Sequence, residues 1–266
     1  MCITCGCDGG GKFSLTPPQQ LHKPVEFTST LHSEQSPETR QLEVQILQKN
    51  LDLAQANRRY FQQNTILALN LLSSPGAGKT TLLEKTLRQL SGQSYVIEGD
   101  QATTNDADRI RATGASSLQV NTGTGCHLEA DMVEQALAQL QPVKGATVFI
   151  ENVGNLVCPA LFDLGEHARV VIASVTEGED KPLKYPHMFH SADLVIINKA
   201  DLLPHLQFDV ELLKRNVAEI NARCPILVLS ATTGEGMADW LNWIADRKKP
   251  AHTVYTPVSI QQPAQA

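Results

Sequence analysis

Nine consecutive residues, Ser73-Ser74-Pro75-Gly76-Ala77-Gly78-Lys79-Thr80-Thr81, combine glycines, a lysine and hydroxyls at the spacing that cradles a polyphosphate. Gly76 and Gly78 let the backbone curl so that N–H groups from Gly76 to Thr81, Ala77 included, point inward. An apolar helix follows, and its N-terminus favours negative charge. Lys79 would neutralise β/γ-phosphate charge, and the Thr80 hydroxyl would hold Mg²⁺. The usual motif opens with Gly where Ser73 stands, a departure offset by the strand-loop-helix setting.

Three further segments follow in an informative order. Asn198-Lys199-Ala200-Asp201 resembles the guanine-reading Asn-Lys-x-Asp of GTPases. A carboxylate at Asp201 accepts from the guanine N1–H and exocyclic amine, donors that adenine does not present in that arrangement, so GTP/GDP is favoured over ATP. Ser230-Ala231-Thr232 matches a short loop that supports the base. Phe149-Ile150-Glu151-Asn152-Val153-Gly154 reads as a strand ending at a Mg²⁺-supporting acid, Glu151, with Gly154 as the γ-phosphate switch donor. Either Asp100, closing Glu98-Gly99-Asp100, or Asp106 is expected to bind Mg²⁺ or orient the attacking water. Helix capping by Asn105 or Asp106 is the competing structural use. Catalysis would then be positioning plus charge neutralisation by Lys79 and Mg²⁺, with no assured arginine finger and hence slow turnover.

The sulfur chemistry lies in two places. Cys2, Cys5 and Cys7 crowd the start of the chain as Cys-x-x-Cys-x-Cys with Gly6 between, a spacing that wraps thiolates around one soft or borderline metal. Cys126-His127 and Cys158 come from two loops directed to one sheet edge, giving S, N and S donors for a second metal site. Three ligands fall short of a four-coordinate shell, so a symmetric second chain would complete or double it. Isolated cysteines are commonly small buried hydrophobes, and Cys224-Pro225 is read that way, as a buried or loop thiol. His187 and His190 are assigned structural roles in a helix.

These residues need a scaffold. The chain has 266 residues, 42% of them hydrophobic, enough for one sizeable core. A net charge of -6 provides no basic field for nucleic acid. No apolar run reaches ~20 residues, so no membrane span is expected, and no signal peptide is recognised. The expected compartment is the cytoplasm, where six cysteines stay reduced and favour metal or redox chemistry over disulfides.

Residues 1–37 read as a flexible metal-binding tail, 38–64 as a leading amphipathic helix, 65–248 as the nucleotide-binding domain and 249–266 as a flexible tail. The helix stripe is Leu42, Ile46, Leu47, Leu53, Ala54 and Tyr60-Phe61. Short apolar strands are predicted at 67–72, 95–97, 118–120, 147–150, 170–175, 194–197 and 226–229. Helices alternate with them at 79–90, 106–112, 128–140, 210–222 and 237–247. Such alternation predicts an α/β fold: a mainly parallel, about seven-stranded sheet flanked by helices, with ligands beyond the carboxyl ends of the strands.

With these motifs in place the chain, from about Gln41 to Arg247, resembles the hydrogenase nickel-incorporation GTPases of the HypB family, in the dimerising class of P-loop GTPases. The stretches that carry the likeness are Ser73–Thr81, Glu98–Gln101, Cys126–Leu128, Glu151–Pro159, Thr176–Pro186 and Ser230–Trp243, with the terminal cysteines. The resemblance implies slow GTP hydrolysis, a nucleotide- or metal-dependent homodimer and Ni²⁺ delivery to the [NiFe]-hydrogenase large-subunit precursor, with a HypA-type metallochaperone as partner. It implies a tight nickel site at Cys2, Cys5 and Cys7, and a weaker Ni²⁺/Zn²⁺ site at Cys126, His127 and Cys158 coupled to nucleotide state. It also brings Glu179–Lys184, by spacing only a charged loop, to the partner subunit or nucleotide. Members with a long His-rich storage stretch differ from this chain, whose tail has only His22 and His32. The competing readings are a passive nickel/zinc buffer whose nucleotide only stabilises a dimer, a urease-type accessory GTPase and a small-molecule kinase. Cys126-His127-Leu128 in place of Cys-Pro-His argues against the urease relative, and Asn198–Asp201 against the kinase.

Overall fold

Val-, Ile- and Leu-rich runs that remain apolar at successive positions suit strands covered on both faces, and the computed structural model forms them into one sheet. It describes residues 37–100, 105–122 and 125–249, with the backbone alone at 37–44, 100 and 105–107. The expected thiol site at Cys2, Cys5 and Cys7 and the side-chain roles of Asp100 and Asp106 lie outside what is described.

The strands are β1 (Leu67–Ser73), β2 (Ser94–Asp100), β3 (Ser116–Asn121), β4 (Thr147–Glu151), β5 (Ala168–Ser174), β6 (Leu194–Asn198) and β7 (Ile226–Val228). Every pairing among them is parallel, in the order β3-β2-β4-β1-β5-β6-β7. The helices are α1 (Pro37–Gln63), α2 (Lys79–Gln89), α3 (Asn105–Arg111), α4 (Ala130–Leu140), α5 (Lys181–Lys184), α6 (Pro186–His190), α7 (Val210–Ile220) and α8 (Met237–Lys248).

Strand periodicity sorts the core into layers. Leu69, Leu71, Val170 and Ile172 pack against Leu82 and Leu83 of α2 and Trp240 and Ile244 of α8. Ala68, Ile97, Val148 and Ile150 face the other way, onto Phe61 of α1 and Val133 and Leu137 of α4. The buried Trp240 indole N–H is satisfied by Thr86 Oγ1 at 2.8 Å, as a polar atom in a dry core requires. Every residue of β1, β4 and β6 is buried. Their carboxyl ends deliver Ser73, Glu151 and Asn198 to one rim. Among the described residues no helix is long and apolar enough to cross a membrane.

Three local expectations are corrected. Helix α4 begins at Ala130, two residues later than read, because Cys126–Leu128 is held in a loop. The charged loop at Glu179–Lys184 contains a helical turn, α5, with Pro182 near its start where no N–H is needed. The buried stripe of α1 is Asn50, Ala54, Asn57 and Phe61, whereas Ile46 is 45% exposed. The surface beneath α1 is loop backbone as well as apolar sheet, so amides replace aliphatics.

Gly165 shows how closely α1 lies on those loops. Its φ is +87°, and a Cβ there would stand 2.5 Å from Ala54 O and 2.8 Å from Arg58 N. Gly165→Ala is therefore expected to destabilise the fold by about 2–4 kcal/mol, combining a left-handed backbone with a clash against a helix. The thermal midpoint followed by circular dichroism should fall by roughly 5–10 °C.

Candidate functional site

The loop after β1 curls around a cleft of about 560 Å³ bordered by Gly76, Lys79, Thr80, Glu98, Arg109 and Glu151. Gly78 begins α2 with φ 92°, and an added Cβ would lie 2.6 Å from Asn198 Nδ2, so both conformation and crowding require glycine. Ser73 is the buried last residue of β1 and is not in a positive-φ conformation, so the motif's missing first glycine is not needed for the backbone path.

Glu151 is the electrostatic centre of the cleft. It accepts from Thr80 Oγ1 at 2.6 Å and lies 3.5 Å from Lys79 Nζ. Its second oxygen, Oε2, is buried with no hydrogen-bond partner. A carboxylate and a hydroxyl in contact, with a buried oxygen still lacking a donor, form a donor set suited to a hard divalent cation such as Mg²⁺.

At the other end of the cleft the guanine-type segment braces the phosphate loop. Asn198 Nδ2 donates to Ala77 O at 3.0 Å, and Asn198 Oδ1 accepts from Ala231 N at 3.1 Å. Lys199, with φ 63°, donates from Nζ to Gly76 O at 2.7 Å. The Ser230 hydroxyl donates to Asp201, tying the two base-side segments together. Asn198 and Lys199 thus act as struts of the loop here, and Asp201 is the carboxylate of the set, held by the Ser230 hydroxyl.

The second constellation is also assembled. Ligand atoms of Cys126, His127 and Cys158 all lie within 4.8 Å of one another, and both sulfurs are thiols. His127 is 6% exposed, its Nδ1 is 3.6 Å from Cys126 Sγ, and its ring lies 4.0 Å from that of Phe162. Burial pushes its pKa below the ordinary histidine value, so the imidazole is neutral near pH 7 and competent as a ligand. His127 Nε2 is buried without a hydrogen bond and stands 3.7 Å from Glu129. Soft sulfur with imidazole suits Ni²⁺ or Zn²⁺. Cys224 is apart from this cluster. Burial first, then Asp193, pushes its thiol up to about 11, so it stays protonated and inert.

One segment joins the two constellations. Glu151 meets the phosphate loop through Thr80, while the next residue, Asn152, accepts from Leu128 N at 3.1 Å beside His127. Gly154 packs against Pro75 of the phosphate loop, and Asn155 Nδ2 donates to Cys126 O at 3.4 Å. Cys158 follows, buried at the start of a 3₁₀ turn. Consecutive residues thus alternate between the two sites.

Several site residues escape a reading of the sequence alone. Glu98 borders the cleft because β2 pairs in register with β4, setting it beside Glu151. Arg109 of α3 reaches the same cleft and contacts Thr81 Oγ1 at 3.1 Å and Glu84 at 3.0 Å. Glu177 accepts from Ser74 Oγ at 2.8 Å, bringing the segment before α5 to the phosphate loop. In the sequence Glu98 and Glu177 stand out only through the likeness-bearing stretches Glu98–Gln101 and Thr176–Pro186, and Arg109 only by its nearness to Asp106.

Residues 67–228 match the family model described as CobW/HypB/UreG, nucleotide-binding domain. The chain is 56% identical over 210 residues to the hydrogenase maturation factor HypB of Escherichia coli strain K12, covering 78% of this chain and 72% of that protein. It is 47% identical over 277 residues to the hydrogenase maturation factor HypB of Azotobacter vinelandii, covering 92% and 91% respectively. Among solved structures, HypB from Helicobacter pylori in complex with nickel aligns with a TM-score of 0.71 at 38% identity, over 78% of this chain and 100% of that one. The hydrogenase maturation factor HypB from Archaeoglobus fulgidus aligns with the same TM-score, 0.71, at 36% identity, over 76% and 99%.

Proposed function

The chain belongs to the CobW/HypB/UreG family and, within it, to the hydrogenase maturation factors HypB, and on that premise we propose that it is a slow GTPase that carries nickel for [NiFe]-hydrogenase assembly. Ni²⁺ is its cargo, with Zn²⁺ the competing ion, taken up at the Cys126/His127/Cys158 site and at Cys2, Cys5 and Cys7. The recipient is the hydrogenase large-subunit precursor, served together with a HypA-type metallochaperone. The working form is a homodimer assembled on nucleotide or metal, in the cytoplasm, where the thiols stay reduced.

Backbone N–H groups of Gly76 and of Gly78 to Thr81 hold the phosphates, while the Ala77 N–H, expected to join them, turns back to Ser74 O at 3.4 Å. Lys79 offsets the phosphate charge and Asp201 selects guanine, with Asn198, Lys199, Ser230 and Ala231 bracing its segment. Thr80 and Glu151 would hold Mg²⁺, which neutralises negative charge on the β- and γ-phosphates. Asp100 or Asp106 orients the attacking water, and Gly154 senses the γ-phosphate.

The observation that carries this reading is the alternation of contacts along Glu151–Cys158. A shift at Glu151 or Gly154 on loss of the γ-phosphate must move Asn152, Asn155 and Cys158, so hydrolysis and metal affinity become linked. The direct test measures Ni²⁺ affinity with GTP, GDP and no nucleotide, together with single-turnover hydrolysis. Guanine selection has its own check. Asp201→Asn replaces an acceptor by an amide facing the N1–H and amine donors, and should weaken GTP binding by at least roughly 10²-fold. Xanthosine triphosphate, whose base offers a carbonyl there, should recover binding in competition titrations. Retained wild-type GTP affinity would remove Asp201 from the base site.

A further inference from the structure

Two buried asparagines of α1 belong to neither the phosphate cleft nor the thiol cluster. Asn50 is 5% exposed and Asn57 is 2% exposed. Asn50 Oδ1 accepts from Ala130 N at 2.9 Å, and its Nδ2 donates to Asp163 O at 2.8 Å. Asn57 Nδ2 donates to both Ala130 O at 2.8 Å and Leu164 O at 3.1 Å. Each amide therefore spans the same gap. On one side is the start of α4, three residues beyond His127, and on the other the turn that follows Cys158. Arg58, one position on, clasps Asp163 with two contacts of 2.7 and 2.8 Å.

The chemistry of these contacts is specific. Ala130 is the first residue of α4, whose N–H has no intrahelical acceptor, and Glu129 makes no side-chain cap. Asn50 supplies that cap from another helix. Two carbonyls call for a group with two N–H donors, and the Asn57 amide presents one without burying a charge. An aliphatic residue at either position would strand buried backbone groups, a larger loss than the bonds themselves contribute. The two loops also meet directly, with the Phe162 ring against that of His127. The matched nucleotide-binding domain begins at residue 67, so α1 precedes it and yet fastens both ligand loops.

We propose that α1 is the positioning element of the Cys126/His127/Cys158 site, with Asn50 and Asn57 bridging its two loops and fixing the separation of their donors. The inference rests on the metal-site reading above. It makes the helix joining the N-terminal segment to the domain a determinant of metal geometry. Outer residues that orient ligands typically control affinity by 10–100-fold.

The test uses the full chain with Cys2→Ser, Cys5→Ser and Cys7→Ser, titrated with Ni²⁺ and with Co²⁺ for its ligand-field spectrum. Asn50→Ala and Asn57→Ala should each weaken both ions by about 10-fold or more and alter the Co²⁺ bands, with GTP affinity unchanged. Asn50→Asp keeps the acceptor for Ala130 N but turns a carboxylate oxygen toward Asp163 O. It should lose metal affinity like Asn50→Ala while retaining the cap on α4, which separates bridging from helix capping. Phe61→Leu, on the same buried stripe but making apolar contacts only and no polar bridge between the two loops, should lower the thermal midpoint and leave metal affinity intact. Unchanged affinity and spectra in folded Asn50→Ala and Asn57→Ala chains, or an equal loss in Phe61→Leu, would overturn the proposal. If Asn57→Ala does not fold, the two Asn50 variants decide. A triple-serine chain that binds neither ion overturns the metal-site reading too, a result visible before any α1 substitution is made.

Discussion

Lys79→Ala should reduce single-turnover GTP hydrolysis by roughly 10²–10³-fold, the loss expected when one preorganised charge is withdrawn from a phosphoryl-transfer site. The lysine side chain is 12% exposed and stands 3.5 Å from Glu151, in a cleft it shares with the glycines of the phosphate loop. Its charge acts where water is sparse, so bulk screening does not substitute for it. Truncation also leaves Glu151 buried without its cationic neighbour, which costs stability as well as rate. Lys79→Gln separates the two losses by keeping a polar side chain of similar length. The measurement is hydrolysis with enzyme in excess over GTP, alongside the thermal midpoint. Equal turnover by wild type and Lys79→Ala would favour a passive scaffold in which nucleotide only holds a dimer together.

Cys158→Ala should weaken Ni²⁺ binding at the domain site by more than about 10²-fold, exceeding what loss of an outer contact causes. It should also erase the dependence of the remaining affinity on nucleotide. The second effect is the more telling. The loop carrying Cys126 and His127 is joined to the Glu151–Cys158 segment by hydrogen bonds from Leu128 N to Asn152 and from Asn155 to Cys126 O, whereas Cys158 is part of that segment. Removing it takes away the one thiol of the cluster that lies on the proposed switch segment itself. Titrations in the background lacking the N-terminal thiols, with GTP, GDP and neither, read both effects. Identical wild-type affinity in all three states would falsify the coupling.

Much of the phosphate site is legible in the sequence because it is local. Ser73–Thr81 and Asn198–Asp201 are contiguous, and glycine spacing with a lysine encodes its own backbone path. The thiol cluster is legible for a different reason: Cys126-His127 and Cys158 both follow strands, and a parallel sheet gathers strand ends at one rim. What escapes is set by register and by polar burial. Glu98 matters through its pairing with Glu151 across β2 and β4, a relation between residues far apart in the chain. Asn50 and Asn57 occupy buried positions on α1 but look like surface residues, since their partners are loop carbonyls and one amide that leave no periodic signal. Ile46 fits the apolar stripe and is nonetheless exposed, because little of the domain lies beneath it. Asn198 carries the guanine signature, while both ends of its amide are engaged in holding Ala77 and Ala231 together.

The strand that ends in the phosphate loop also anchors the two cysteine-bearing loops through its middle. Asn70 of β1 accepts from Asn152 at 3.4 Å and donates to Glu166 at 3.2 Å. Glu166 pairs with Arg169 at 2.7 Å, and that guanidinium donates to Ala160 O and Phe162 O, both at 3.0 Å. An engineer wishing to graft the Cys-His-Cys site onto another P-loop scaffold would therefore transplant more than three ligands and two loops. The graft would need an asparagine in the central strand, the buried Glu166–Arg169 pair and a helix carrying Asn50 and Asn57. A host strand with leucine at the Asn70 position would receive the ligands but not the frame that keeps them in reach of one ion.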